Sequence, residues 1–197
     1  MREGYPLVEL HRHLDGNLRI NTIIELARKH HLELPAWTPE DLLPHVQVTT
    51  TVPDLKAFLQ KFVLLQKVIV NYDAVRRITR ENLEDAAREG IDAIELRFSP
   101  AFMAHNHALS IHKITETVCQ TVAEAQGQIP VLAKLIVIMS RHYAPELCDL
   151  ELHAAIDFKN HGVVAIDLAG DEKDCPGDLF IDQFHKARDA GLHVIAH

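Results

Sequence analysis

The sequence is poor in cysteine, and no pattern in it would put a thiol to use. Its three cysteines, Cys119, Cys148 and Cys175, are odd in number, and none belongs to a C-x-x-C motif. Such a set argues against a disulfide scaffold and favours a reducing, cytoplasmic location. Buried or incidental cysteine is a better interpretation than a catalytic thiol.

The chain also lacks a long apolar run and an excess of positive charge. Its longest helix-like apolar stretch, residues 58–70, is interrupted by Lys61, Gln66 and Lys67, so no membrane span is predicted. Twenty basic residues against 28 acidic ones give a net charge of −8. Neither nucleic acid nor an anionic membrane is therefore expected as a partner.

The remaining composition is typical of a globular protein. Of its 197 residues, 47% are hydrophobic and 24% are charged. A chain of this length can bury one real core. We therefore predict a single domain over residues 1–197.

Strand-like and helix-like segments alternate along the chain. The predicted strands lie at 7–14, 91–98, 130–139, 162–168 and 191–197, and the predicted helices at 19–30, 54–70, 73–89, 110–126, 145–157 and 178–190. Strands that alternate with helices long enough to connect parallel neighbours predict a parallel α/β fold. Polar side chains gather at the strand ends, where a (β/α)8 barrel places its chemistry. A doubly wound sheet would do the same, but the first strand-to-helix turn has no G-x-G-x-x-G motif.

Two segments outside this alternation have less definite patterns. Residues 31–53 are rich in proline and threonine and contain a short helix capped by Thr38. They are either a lid over the end of the first strand or a plain connection. Residues 101–109 are predicted to be a loop.

The first strand ends in a histidine pair. His11 and His13 follow an apolar run, and on a strand they share one face. Two imidazoles at the end of a buried strand indicate a divalent metal, because neutral imidazole is its commonest ligand. The alternative is a chance H-x-H in a chain with 14 histidines. A second pair, His105 and His107, ends no apolar strand and is interpreted as surface, and the other histidines as solvated.

Four motifs together resemble the adenosine deaminase family of the amidohydrolase superfamily, and the bacterial members most closely. They are LHRHLDG at 10–16, IELRFSP at 94–100, IMSR at 138–141 and AIDLAGDE at 165–172. The likeness covers essentially the whole chain. It implies a (β/α)8 (TIM) barrel and the hydrolytic deamination of adenosine and 2′-deoxyadenosine to inosine and ammonia, in purine salvage.

The resemblance assigns roles to five residues. His11, His13 and His197 would bind one Zn²⁺ ion, which lowers the pKa of a water molecule. His13 and Asp15 would lie against the purine nucleoside, and the Gly170 backbone would contact the purine edge, where the missing Cβ permits close approach. Arg97 and Ser99 are expected only to make internal hydrogen bonds.

The residues that resemble the family do not include its catalytic groups. The proton-donating glutamate would lie three residues past His197, and the base histidine and the aspartate ligand come from later strands. The fold class expected is thus an incomplete (β/α)8 barrel of about five strands, truncated after the fifth, with no catalytic residue of its own. The chain alone is expected to be inactive and to self-associate through its open sheet edge.

Three other functions can be compared with this one. An adenine deaminase or another amidohydrolase shares the build, and a non-catalytic fragment could bind zinc or a partner. Zinc cytidine deaminases are excluded, because the H-x-E at 31–33 is followed by no P-C-x-x-C.

Overall fold

The protein is described by a computed structural model that covers residues 4–197. One parallel sheet contains five strands: β1 (Val8–His13), β2 (Ala93–Phe98), β3 (Leu132–Ser140), β4 (Val163–Ala169) and β5 (His193–Ala196). Each strand pairs with the next one in the chain, in the order β1-β2-β3-β4-β5. This sequential order is that of a (β/α)8 barrel, whereas a doubly wound sheet reverses its order at a switch point. The predicted fold class, an incomplete TIM barrel, is confirmed.

Eight α-helices connect and cover the strands. They are α1 (Ile20–Lys29), α2 (Pro39–Val46), α3 (Leu55–Val68), α4 (Tyr72–Arg88), α5 (Pro100–Ala104), α6 (Ile111–Gln126), α7 (Pro145–Asp157) and α8 (Ile181–Asp189). Five begin at a polar side chain that accepts the backbone N–H three residues on: Thr38, Asp54, Asn71, Ser99 and Ser110. Such caps satisfy backbone donors that have no partner inside the helix, so the predicted helix starts agree well with the structure.

The segment predicted as a loop, residues 101–109, instead begins inside helix α5. The Ser99 hydroxyl accepts the backbone N–H of Phe102, and Pro100 occupies the first helical position. Proline there loses no hydrogen bond, because the first backbone donors of a helix are free in any case. The Ser-Pro pair therefore starts a helix rather than ending the strand in a loop.

Residues 31–53 do not form a lid. Helix α2 packs its fully buried Leu42 into a small core between α1 and α3, together with Ile23 and Leu65. None of residues 31–53 lines the cleft described below, which is covered by α3. The proline-rich segment is a connection with its own core contacts.

The main core lies between the sheet and its helices. In β3 the five residues from 135 to 139 are all buried, as expected of a parallel strand covered on both faces. Cys119 and Cys148 belong to this core, where desolvation raises the pKa of each thiol to about 12. They are packing residues, not nucleophiles.

Strands β1 and β5 are the two edge strands of the sheet, and each pairs with one neighbour within residues 4–197. Val8 and Leu10 on β1 are largely exposed. Across the same residues, every helix is too short or too polar to cross a bilayer.

Candidate metal centre and substrate cleft

Three histidines from the two outer strands meet at the carboxyl end of the sheet. The ring centroids of His11 and His197 are 4.8 Å apart, and those of His13 and His197 are 5.5 Å apart. In a flat sheet, β1 and β5 would be separated by four strand spacings, about 19 Å. The contact therefore shows that the sheet is curled as in a barrel, and this curl brings the histidines together.

The three imidazoles form a suitable donor set for a metal ion. One ring nitrogen from each lies within 4.8 Å of the other two. Desolvation, and then the neighbouring His197 and His11 rings, lower the pKa of His13 to about 4. Desolvation followed by Arg97 also lowers the pKa of His11. Near neutral pH both rings are uncharged and offer a lone pair, which is what zinc requires of a histidine ligand.

A buried ion pair lies directly behind His197. Nδ1 of His197 is 2.8 Å from Oδ2 of Asp167, and Nη1 of Arg97 donates to the same oxygen at 2.6 Å. Arg97 also donates through Nη2 to the carbonyl of Leu10 at 2.8 Å. The internal hydrogen bonds predicted for Arg97 are confirmed. The contact between Asp167 and His197 could not be found from the sequence.

Asp15 lies at the base of the cleft as a nearly buried carboxyl group. Its Oδ2 accepts the Ser99 backbone N–H at 2.9 Å. Desolvation outweighs this hydrogen bond and raises the pKa of Asp15 to about 7. A group with that pKa holds or gives up a proton near neutrality, which suits a contact with a purine ring nitrogen or a hydroxyl.

A second buried acid, Glu151 on α7, was missed by the sequence reasoning. Its Oε1 accepts the Ser99 hydroxyl at 2.7 Å and the Ala101 N–H at 3.0 Å, so the hydrogen bonds expected of Ser99 are also confirmed. Burial raises the pKa of Glu151 to about 8, and the hydrogen bonds from Ser99, Ala101 and Ser140 offset this rise only partly. One acidic residue in a helix gives no sign of burial in the sequence.

A cleft of about 680 Å³ opens over the histidines and Asp15. On one side it is lined by apolar side chains of α3 and by Phe102, and the α3 set comprises Leu55, Phe58, Leu59, Phe62 and Val63. The cleft's lining, within the described residues, includes neither lysine nor arginine. An apolar wall facing a few polar groups is typical of a pocket for a small molecule.

Gly170 occupies the opposite wall at the end of β4. Its φ of +120° is one that residues with a side chain rarely adopt. A Cβ at this position would lie 3.1 Å from Nε2 of His142. The φ requires glycine, and with no Cβ the peptide group stands open on the cleft.

Two histidines predicted to be solvated or on the surface face this cleft. His105 stacks on Tyr143 with centroids 6.0 Å apart, and both residues, with His142, line the cavity. His107 instead contacts the Lys67 carbonyl at 3.0 Å. His105 and His142 are exposed, as predicted for them, and the structure adds that they line the cleft.

The incomplete barrel and the histidines at its carboxyl end define the class of protein, a barrel with the fold of the amidohydrolase-type deaminases. The chain belongs to the adenosine deaminase family, whose sequence model matches residues 6–197.

One similar protein is the adenosine deaminase of Salmonella typhimurium, which is 48% identical over 192 residues. The match covers 98% of this chain and 57% of that protein. The chain thus spans a little over half the length of the curated relatives it matches.

Two solved structures share the fold. The adenine deaminase of Arthrobacter aurescens has a TM-score of 0.79 at 25% identity, and Arabidopsis ADAL complexed with GMP has 0.81 at 26%. Each match covers 98% of this chain and 57% of the other.

Proposed function

We propose that this chain carries the first part of the active site of a zinc-dependent deaminase. The reaction proposed converts adenosine and 2′-deoxyadenosine to inosine and ammonia. The observation that supports it most is the meeting of His11, His13 and His197 beside Asp15 and Gly170, in a chain of this family. These are the residues for which the resemblance implied metal and substrate contacts.

His11, His13 and His197 are the proposed zinc ligands. When bound, zinc would lower the pKa of a water molecule, so that hydroxide is available near neutral pH to attack an electron-poor ring carbon. The protein's own groups would position the purine. Asp15 would hold or release a proton at the base of the cleft, and the peptide group of Gly170 would meet the purine edge.

The charge of the cleft favours a nucleoside over a nucleotide. A 5′-phosphate carries about two negative charges and needs cationic partners when it leaves water. None of the three lysines of α3 lines the cleft. Lys56 pairs with Asp174 at 3.0 Å, and Lys61 donates to the Pro44 carbonyl. ADAL with its bound GMP shows that the fold can hold a nucleotide, so the lining decides the substrate.

The natural protein that contains this sequence should prefer adenosine to both adenine and AMP. We expect kcat/KM for AMP to be lower by at least about 100-fold, because its phosphate would lose water without a cation in return. Free adenine lacks the ribose contacts that contribute binding energy. Initial rates of ammonia release with the three substrates measure this. A preference for adenine would support the adenine deaminase alternative, and a preference for AMP would contradict the argument from charge.

A polypeptide limited to residues 1–197 should show no turnover of adenosine. The resemblance places the proton donor three residues past His197, and without that acid the purine ring nitrogen cannot be protonated when water adds to the ring. The same polypeptide should elute from a sizing column above its monomer mass of 22.2 kDa, because β1 and β5 expose unpaired backbone groups. Turnover by a preparation free of longer protein would contradict the first expectation. Monomeric elution would contradict the second.

Single-domain organisation and a cytoplasmic location stay predictions from length and cysteine content. The same holds for the expectation that neither nucleic acid nor a membrane is a partner.

A further inference from the structure

We propose that Arg97 and Asp167 are positioning residues for the metal centre. In this proposal Asp167 fixes the tautomer and direction of the His197 ring, and Arg97 holds that carboxylate against the strand that carries His11. The inference rests on the proposed function, since it concerns the same three histidines.

The contact with Asp167 selects one tautomer of His197. A carboxylate paired with a guanidinium accepts hydrogen bonds and donates none. Nδ1 of His197 lies 2.8 Å from Oδ2 and 3.0 Å from Oδ1, so Nδ1 carries the ring proton. Nε2 is then the nitrogen with a free lone pair. Carboxylates in this relation to a histidine orient the ring and make it a stronger ligand.

Arg97 connects three strands beneath the cluster. Its side chain starts on β2, reaches Asp167 on β4 through Nη1, and reaches the Leu10 carbonyl on β1 through Nη2. The β1–β2 register gains one residue of β1 between Glu9 and Arg12, a bulge that contains Leu10 and His11. Bulges turn a strand and redirect its side chains. The Arg97 guanidinium thus hydrogen-bonds to the backbone of β1 inside this bulge.

The burial of this pair is hard to explain by stability alone. Asp167 is fully buried and Arg97 is 3% exposed, yet Nε of Arg97 has no hydrogen-bond partner among the described residues. A buried ion pair contributes little net stability, and an unpaired buried donor reduces it further. The arrangement is costly as packing, whereas it is well suited to fixing the geometry of His197 and His11.

The test uses Asp167→Asn, Arg97→Lys and the control Glu151→Gln. Glu151→Gln also changes a fully buried carboxyl group to an amide. Among the described residues Glu151 hydrogen-bonds with Ser99, Ala101 and Ser140 and with none of the three histidines. Zinc affinity is measured by competition with a chromogenic chelator, and the ring tautomer of His197 by ¹⁵N NMR of metal-free protein. Circular dichroism confirms that each variant is folded.

Asp167→Asn should bind zinc about 10- to 100-fold more weakly, the range seen when such second partners are removed. Arg97→Lys should fall between Asp167→Asn and the wild type, because one ammonium group cannot serve both Asp167 and the Leu10 carbonyl. Glu151→Gln should stay within about threefold of the wild type. In metal-free wild type the His197 proton should be on Nδ1, and in Asp167→Asn it should move at least partly to Nε2.

Wild-type zinc affinity in Asp167→Asn, or an equal loss in Glu151→Gln, would overturn the proposal. A wild-type protein that binds no zinc would instead refute the proposed metal site. The tautomer comparison would then still decide the role of Asp167, because it needs no metal. An unchanged tautomer in Asp167→Asn counts against the positioning role.

Discussion

Replacing His13 by alanine should weaken zinc binding by about 100- to 1,000-fold. Structural zinc sites bind with about 10–16 kcal/mol spread over four ligands, so one imidazole contributes about 2.5–4 kcal/mol. His13 is the most desolvated of the three rings and is uncharged near neutral pH, so it binds zinc without first losing a proton. Isothermal titration of the metal-free protein with zinc measures the effect.

The matched control for this variant is His107→Ala. His107 belongs to the second H-x-H, but its ring contacts the Lys67 carbonyl and lies outside the three-histidine cluster. Its removal should leave zinc affinity unchanged within error. Equal losses in the two variants would show that zinc is bound at dispersed surface histidines, and the proposed site would be wrong.

Because of Glu151, the metal-free wild type should lose stability relative to Glu151→Gln as the pH rises from about 4.5 to 8. Burial raises the pKa of Glu151 from 4.5 to about 8, so the folded state holds this proton where the unfolded state has lost it. The contribution of Glu151 to the free energy of unfolding therefore decreases with pH in this range, by at most about 1.4 kcal/mol per pH unit. The contribution is complete below the unfolded pKa and is lost as the pH passes 8.

Asp15, with its pKa raised to about 7, acts in the same direction. Glu151→Gln copies the protonated acid, so its stability should match the wild type near pH 5 and depend less on pH up to 8. Urea unfolding at several pH values, with a chelator present, provides the curves. Glu124→Gln, on an exposed position of α6, should follow the wild type throughout. The lowered pKa values of His13 and His11 act in the opposite direction below about pH 6.5 and are shared by the variant, so the comparison isolates Glu151. A wild-type curve with the same pH dependence as that of Glu151→Gln between pH 5 and 8 would contradict the assignment.

Several features of this protein were determined by sequence alone because they depend on local rules. His11 and His13 share a face because strand side chains alternate, and their apolar run marks a strand that ends at the site. Helix α7 begins and ends where the sequence predicted, at Pro145 and Asp157. Alternation of strands and helices gave the parallel fold, since such strands need helical crossovers.

The resemblance contributed what local rules could not. His197, Asp15 and Gly170 were assigned from motifs, and the structure places all of them around one cleft with His11 and His13. No spacing rule connects His11 with His197 across the chain. Their contact with metal or substrate stays a prediction.

Only the tertiary structure decided which groups meet. The curl of the sheet brings β1 and β5 together, and it arises from the packing and twist of all five strands. Glu151 looks like a surface charge on a helix until α7 packs over the ends of β2 and β3. Arg97 meets Asp167 across 70 residues of sequence. Such contacts depend on where side chains point after folding, whereas the strand and helix periods depend only on neighbours in the chain.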